Sequence, residues 1–252
     1  MSGFGSNSSP VGRPTFNDGS IGSTVYVATT GSDTSGDGSS GLPFLTIDKA
    51  ISLIGVANPS NVTIQLQDAG PFDWPDVVTN LNYVTVQGSE TIDDTRAISS
   101  VTSTNSTGGS TGIVFVVDGA AISNDAWQGR ILHVTDVLSD DKNIIVVRNT
   151  GNTIYGVMHA RATLSATQTS PVGGNVDLIS FSEVAFPAVT SITTSIQCNF
   201  NNVKVTGSSL LFNNVTDKIQ FSRCNIQLNV LQAGRSGGAY LYSSSVENVG
   251  TT

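Results

Sequence analysis

Charged side chains are scarce in this chain of 252 residues: Asp, Glu, Lys and Arg together make up only 12% of it, about half of the roughly 25% found in ordinary soluble domains. With 11 Lys and Arg against 19 Asp and Glu, the net charge is -8, and no basic cluster offsets it. Such a chain would repel a phosphate backbone on average. The composition therefore argues against a nucleic-acid-binding protein.

Long apolar runs and a targeting segment are also missing. No stretch is long enough to cross a membrane, and residues 1–20 lack the basic start and apolar run of a signal peptide. The sequence therefore predicts a soluble protein with no membrane insertion. The two cysteines, Cys198 and Cys224, are too few for a disulfide scaffold. We expect them to be small core residues, with a disulfide between neighbouring turns of the chain as the alternative.

Short apolar runs and neutral polar residues are what the chain has instead. Hydrophobic residues reach 38% and recur in short β-branched runs, which argues against a disordered chain. Ser, Thr, Asn and Gly are abundant, so the surface must be built mainly from uncharged hydrogen-bonding groups. Such a surface suits a repetitive β structure or a fibre, and it is typical of surfaces that touch glycans or pack into assemblies.

The clearest local signals lie between Tyr26 and Ile54. An extended segment leads into a polar loop whose glycines permit positive φ repeatedly. Thr46 is the predicted N-cap of a short amphipathic helix, and its apolar residues recur at helical spacing: Ile47, Ala50, Ile51 and Ile54. In the loop, Asp33 and Asp37 are weak candidates for a Ca²⁺ site, and turn formation is the alternative that their spacing favours.

This opening segment resembles that of right-handed parallel β-helix proteins of the pectate-lyase-like superfamily. The family pattern Y-V-x-x-x-G-S-D followed by P-F-x-T-I-x-x-A-I is matched by Tyr26, Val27, Gly31, Ser32, Asp33, Pro43, Phe44, Thr46, Ile47, Ala50 and Ile51. The resemblance implies that the helix caps the first coil of a solenoid. It implies no single activity, since polysaccharide lyases, mannuronan epimerases, surface proteins and bacteriophage tail appendages share this opening.

Strands are predicted after the helix. Residues 61–67 and 83–87 alternate like half-buried strands, and they resemble the first full coil of the family. The polar residues 91–112 predict an exposed loop. The continuous apolar run at 113–117 predicts a strand buried on both faces.

Two features of the later sequence complete the predicted organisation. Residues 127–158 hold two or three strands separated by polar turns, and they resemble a small β-insertion of phage β-helix proteins. Phe200-Asn201-Asn202-Val203 recurs as Phe212-Asn213-Asn214-Val215, and a coil is expected to take about two such units. The chain thus divides into a flexible attachment arm, the β-helix opening with its first coils, the insertion and the C-terminal coils: 1–22, 23–126, 127–158 and 159–252.

Catalytic signatures are not visible in the sequence. Polysaccharide lyases and hydrolases on this fold need Ca²⁺-binding carboxylates with a base, or two carboxylates at a fixed separation, and neither forms a motif here. The histidines, His133 and His159, have no neighbouring carboxylate pattern. We expect no cofactor. Three aromatic residues around the first coil are candidates for stacking on sugar rings, with core packing as the alternative: Phe72, Trp74 and Tyr83.

The N-terminal arm completes the functional hypothesis. Phe4 and Phe16 are its candidate anchors, with a frayed terminus as the alternative. The sequence predicts an all-β, right-handed parallel β-helix with one short N-terminal capping α-helix and a small β-insertion. With the resemblance, it predicts a non-enzymatic virion structural protein: a homotrimeric phage tail fibre, tailspike or related appendage that binds other virion proteins through the arm and contacts host surface polysaccharide. A polysaccharide-degrading tailspike lyase or hydrolase is the main alternative, and a bacterial surface adhesin is the third.

Overall fold

The chain is predominantly β structure in the computed structural model, which confirms the predicted all-β class. The structure describes residues 23–57, 61–75, 77–78, 83–107, 110–135, 142–158, 173–192, 197–212, 218–233, 238–242 and 244–247. Phe4, Phe16 and His159 lie outside these ranges. The described part has one helix, α1 (Ile47–Ala57), and no helix there is long and apolar enough to cross a membrane.

The strands build two parallel sheets and one antiparallel barrel. Numbered in chain order, they are β1 (Ser23–Val27), β2 (Val62–Leu66), β3 (Phe72–Asp73), β4 (Val77–Val78), β5 (Val84–Gln87), β6 (Glu90–Thr107), β7 (Ser110–Val117), β8 (Ile131–Thr135), β9 (Lys142–Thr150), β10 (Thr153–Met158), β11 (Asn175–Ile192), β12 (Gln197–Asn201), β13 (Val203–Phe212), β14 (Lys218–Ser222), β15 (Asn225–Ala233), β16 (Gly238–Tyr242) and β17 (Ser245–Glu247).

The two parallel sheets are wound from successive passes of the chain. Sheet A has the strand order β1-β2-β5-β12-β14-β16. In sheet B, β3 and β4 pair with one edge of the C-terminal half of β11. The strands β13, β15 and β17 follow in that order from its other edge. From β12 to β17 the chain alternates between the sheets. It returns to the same sheet after 20 to 22 residues, as the pairs Val62–Val84, Cys198–Ile219 and Ile219–Ala239 show.

Side chains from both parallel sheets share one hydrophobic core, because alternate residues of each strand point inwards. In β2 the inward residues are Val62, Ile64 and Leu66, all fully buried. Aromatic rings stack through the middle of this core: the ring centroid of Phe200 lies 5.3 Å from Trp74 and 5.1 Å from Phe221. Aromatic contacts therefore connect the passes that contain Trp74, Phe200 and Phe221.

The partner of Phe200 agrees with the expectation that one coil takes about two units of the internal repeat. Its neighbour in the next pass is Phe221, which it faces in strand register. Phe212, the match found in the sequence, ends β13 in the other sheet. The repeat therefore links a strand of sheet A to one of sheet B, and the true stacking period is that of a full pass.

The helix and the cysteines agree with the sequence predictions. The backbone N–H of Lys49 donates to Thr46 Oγ1 at 3.1 Å, so Thr46 is the N-cap of α1. Ile47 and Ile54 are buried in the shared core. Cys198 and Cys224 are free and buried, and burial raises the pKa of each thiol to about 12.

Six strands form a closed antiparallel barrel. The strands β6, β7, β10, β9, β8 and the N-terminal half of β11 pair in that order, and β11 pairs back with β6. Closure leaves no unpaired strand edge around the ring. The predicted insertion, 127–158, contains three of these strands, β8 to β10. The barrel as a whole runs from Glu90 to Phe181 and is therefore wider than that insertion.

The barrel has a core of its own, separate from that of the parallel sheets. Its strands contribute mainly aliphatic side chains from alternate positions: Ile98, Ile113, Phe115, Val117, Leu132, Val134, Ile144, Val146, Ile154, Val176 and Leu178. A buried asparagine holds the connection that covers this core. Asn149 Nδ2 donates to the carbonyl oxygens of Ser123 and Gly151 at 2.8 Å and 3.0 Å, and its Oδ1 accepts the N–H of Trp127 at 2.9 Å.

Residues 91–112 are the main error of the sequence prediction, because the described ones, 91–107 and 110–112, lie in β6 and the start of β7 and not in an exposed loop. A barrel strand buries only one face, so Ile98 points inwards and Ser99 outwards. Ser100 is also exposed, because the pairing of β6 with β7 shifts register between Ile98 and Ser100. Polar β-branched residues such as Thr suit the outer face of a strand. The apolar run at 113–117 also alternates, with Ile113, Phe115 and Val117 buried and Val114 and Val116 partly exposed.

One strand joins the barrel to the parallel sheets. The first half of β11, up to Phe181, pairs in the barrel, and the second half, from Ser182, pairs in sheet B. Ser182 is fully buried, its N–H donates to the Ser89 carbonyl at 3.1 Å, and its Oγ accepts the Ser89 N–H at 2.9 Å. The two ends of the barrel segment therefore meet at Ser89 and Ser182.

Candidate functional site

A cleft lies where β11 changes its partners. The ladder between β8 and β11 ends at the pair Ile131–Ile179, and the ladder between β13 and β11 begins at Val203–Ser182. This junction cleft has a volume of about 170 Å³, and barrel and sheet B residues line it together: Arg130, Ile131, Ile179, Ser180, Phe181, Lys204, Asn225 and Gln227. Neither the barrel nor sheet B alone would form this cleft.

The cleft has an apolar floor and a polar rim. Ile131, Ile179 and Phe181 form a small buried cluster separate from the two main cores. Around them stand an arginine, a lysine, a serine hydroxyl and two side-chain amides, and none of the described residues that line the cleft is acidic. A site that combines an apolar surface with a few converging polar groups is the usual form of a small-molecule binding pocket.

Ion pairs hold the two cations of the cleft in place from outside it. Arg130 bonds to the carboxylate of Asp93, and its Nη2 also donates to Ser180 Oγ at 2.7 Å. Lys204 Nζ donates to Glu183 Oε2 at 2.8 Å. Burial acts to raise the pKa of Glu183, yet hydrogen bonds from Lys204 and Thr206 and the lysine charge outweigh it and lower that pKa below its usual value.

Asn225, which lines the cleft, has a buried side-chain oxygen without a hydrogen-bond donor among the described residues. It is only 5% exposed, and its Nδ2 donates to the carbonyl oxygen of Gly129 at 3.0 Å. Its Oδ1 is buried and accepts no hydrogen bond from the described residues. Buried amide oxygens almost always have a donor, so Oδ1 is an acceptor whose donor is not among the described residues.

The aromatic candidates for glycan contact separate into buried and exposed residues. Phe72 is 3% exposed and Trp74 is 1% exposed, both within the shared core, so their ring faces contact other core side chains. Tyr83 is 41% exposed and has a φ of 51°. A second groove of about 430 Å³ lies between α1 and β3, and it reaches the edges of Phe72 and Trp74.

The loop aspartates serve local structure. Asp33 accepts the backbone N–H groups of Leu45 and Thr46 at 2.8 Å and 3.1 Å, and it accepts the Thr46 hydroxyl at 2.7 Å. Asp37 accepts the Ser39 N–H at 2.9 Å, and hydrogen bonding to Ser39 lowers its pKa. The Asp37 bond matches the turn-forming use that the spacing favours, whereas Asp33 ties the loop to the start of α1. Among the described residues, no three His, Cys, Asp or Glu side chains lie close enough to hold a metal ion.

Strand register brings one histidine close to a carboxylate that the sequence does not place near it. His133 on β8 lies directly across from Asp177 on β11, and Asp177 accepts the hydroxyl of Thr95 at 2.6 Å. The neighbouring aspartates Asp93 and Asp94 point to different cations, Arg130 and Arg96. The barrel wall therefore contains one histidine and aspartate pair in register.

Sequence reasoning missed the junction cleft, although one signal for it exists. Glu183, Lys204 and Asn225 occupy the same register position in three successive passes of sheet B, so they recur at the spacing of one full pass. In a chain with so few charges, polar residues repeated at that spacing indicate a column across the sheet.

Comparison of the chain with protein-family models, with curated proteins and with solved structures finds no match.

Proposed function

We propose that the two parallel sheets form a short right-handed parallel β-helix, with the barrel inserted into one of its coils. The regular return of the chain after 20 to 22 residues supports this, as does the alternation of β12 to β17 between the sheets. Stacked passes of this kind bury each coil against the next. The helix α1 would cap the first coil beside β1.

We propose further that the protein is a non-enzymatic virion structural protein, a homotrimeric tail fibre, tailspike or related appendage that contacts host surface glycans. The observation that carries this proposal is the stacked core, in which the Phe200 and Phe221 rings lie face to face at 5.1 Å. Passes that stack in this way can repeat along one axis, which suits an appendage. The neutral polar surface predicted from composition and the resemblance of the opening segment point the same way.

The oligomeric state tests this proposal most directly. Sedimentation equilibrium of the full chain is expected to give a trimer, and a variant lacking residues 1–22 is expected to remain folded but lose binding to other virion components. Substitution of both Phe4 and Phe16 by alanine should reproduce the loss of binding. A chain that stays monomeric at high concentration and binds no virion component would contradict the proposal.

A polysaccharide-degrading enzyme is the second candidate, and the in-register pair His133 and Asp177 favours it. A histidine beside a carboxylate is a common general base or acid. Incubation of the protein with acidic polysaccharides, followed by assays for new reducing ends and for unsaturated products, would detect this activity. If cleavage occurs and His133→Ala abolishes it, the enzyme replaces the non-enzymatic appendage as the function.

A further inference from the structure

We propose that the junction cleft binds a single acidic sugar residue, that is, one hydroxylated ring bearing a carboxylate. This inference deepens the glycan contact of the proposed function and rests on it for the source of the sugar. The chemistry of the cleft carries the inference independently of any virion role.

The buried amide of Asn225 requires a hydrogen-bond donor. Its Nδ2 is committed to the Gly129 carbonyl, so the side-chain orientation is fixed, and its Oδ1 can only accept. Leaving a buried acceptor empty is costly compared with satisfying it. A sugar hydroxyl supplies the missing O–H, whereas a simple carboxylate or phosphate dianion has none to give.

The charged donors on the rim favour an anion. Arg130 and Lys204 both line the cleft, while their partners Asp93 and Glu183 lie outside it. Glu183 accepts one hydrogen from an ammonium group that carries three donors. Bonds from charged donors to a carboxylate are about twice as strong as neutral ones. A neutral sugar would leave this capacity unused.

The floor and the size of the cleft fit one ring. Ile131, Ile179 and Phe181 offer an apolar surface of the kind that packs against the C–H face of a sugar. The volume of about 170 Å³ is below the roughly 300 Å³ at which pockets for drug-sized ligands begin. The cleft therefore fits one residue, either a free sugar acid or one unit of an acidic polysaccharide.

Calorimetric titration of the full-length protein with methyl β-glucuronide tests the inference. Methyl β-glucoside, which keeps the hydroxyls and loses the charge, and acetate, which keeps the charge and loses the hydroxyls, are the matched ligands. We expect the glucuronide to bind about tenfold or more tightly than either one. A polyuronate oligosaccharide distinguishes the sources: tighter binding than the glucuronide points to a polysaccharide, and weaker binding points to a free sugar acid.

Two variants locate the binding in the cleft. Lys204→Met keeps the aliphatic stem and is expected to weaken glucuronide binding about tenfold, while Asn225→Leu is expected to weaken binding of both glucuronide and glucoside. Lys49→Met makes the same charge change on the exposed side of α1 and should leave binding unchanged. Thermal unfolding checks that each variant is folded, and Lys204→Met carries the test if Asn225→Leu is not.

Three outcomes would overturn the inference: no glucuronide binding, equal binding of acetate, or binding that Lys204→Met leaves unchanged in a folded protein. Sedimentation of the same samples separates this result from the proposed function. A trimer that does not bind the glucuronide overturns the cleft inference alone. A monomer that binds it through Lys204 supports the cleft and overturns the trimeric appendage.

Discussion

The parallel sheets and the barrel are built from the same kind of alternating strand, but they close in different ways. In the sheets each strand pairs with the next pass of the chain, and a few aromatic rings from different passes meet inside a core that is otherwise aliphatic. In the barrel the strands are antiparallel and the first pairs with the last, around a mainly aliphatic core. Alternation alone therefore does not decide the architecture. What decides it is the distance along the chain at which a strand meets its partner.

Removal of the entire barrel is the largest change that tests whether the two regions are independent. Asn199 and Thr85, neighbours in sheet A, are 114 positions apart. Deleting the 92 residues from Glu90 to Phe181 leaves 22 of these positions, the same separation as between Gln65 and Gln87. We expect the shortened chain, with Ser89 joined to Ser182, to fold with the parallel sheets intact, as measured by circular dichroism and cooperative thermal unfolding.

A shifted deletion of equal length is the matched control for this prediction. Removing residues 96–187 cuts into the half of β11 that belongs to sheet B and leaves the first strand of the barrel without partners. This variant should fail to unfold cooperatively. Equal behaviour of the two deletions would show that the barrel and the sheets are not separable in this way.

Truncation of one buried phenylalanine in each region compares the two cores. Phe200 and Phe115 are both fully buried, and replacing either with alanine should cost roughly 3–5 kcal/mol of unfolding free energy. We expect Phe200→Ala to lower hydrogen-exchange protection in sheets A and B, and Phe115→Ala to lower it in the barrel. Uniform loss of protection from a single substitution would mean that both regions unfold as one unit.

Loss of the buried asparagine should affect the barrel alone. Asn149→Ala removes three hydrogen bonds from a residue that is 1% exposed, and it is expected to cost about 1–3 kcal/mol because buried partners are left unsatisfied. The matched control is Asn124→Ala, where an exposed side chain accepts the N–H of Gly151 at 3.0 Å. Chemical denaturation should show little change for that variant.

The helix cap offers a smaller effect at the other end of the molecule. Asp33→Ala removes the carboxylate that accepts three hydrogen bonds at the start of α1, and it should cost about 1 kcal/mol. Asp33→Asn keeps an acceptor and is expected to retain part of the stability. If Ca²⁺ raised the melting temperature of the native chain and not of Asp33→Ala, the turn-forming interpretation of this aspartate would be wrong.

The smallest expected effect is on how the free energy of unfolding falls at acid pH. Because the pKa of Glu183 is lowered in the folded state, its contribution is present above the pKa of the unfolded chain and disappears as pH falls through the folded value. Glu183→Gln should therefore flatten the loss of stability in the acid range, below the ordinary pKa of glutamate. Denaturation at a series of pH values measures this. Lys204→Met should flatten the same loss of stability, since the lysine supports the carboxylate.

Sequence reasoning succeeded where the signals are local. The N-cap Thr46, the buried face of α1 and the alternation of β2 are each encoded within a few residues of one another. The two free cysteines also lie in the core as expected. These features depend on no distant partner, so a short window of sequence is enough to predict them.

The barrel and the cleft depend on distant partners. The sequence of β6 predicts a loop because its outward residues are polar and the strand that closes the ring, β11, follows about 80 residues later. Phe72 and Trp74 look like surface aromatics beside Pro71 and Pro75, yet the turn aims them into the core. Arg130 and Asn225 meet only because strand register brings the barrel against sheet B. No local pattern shows such a meeting.

The continuity of β11 determines how the molecule would respond to a mechanical pull. A force applied to the barrel travels along the axis of this strand into sheet B, where nine residues of β11 face residues of β13 in register. Hydrogen bonds between strands run across that axis, so the pull would stretch all of them in shear at once instead of peeling them apart singly. Sheet B therefore holds the barrel in the direction in which the hydrogen bonds between β11 and β13 resist a pull together.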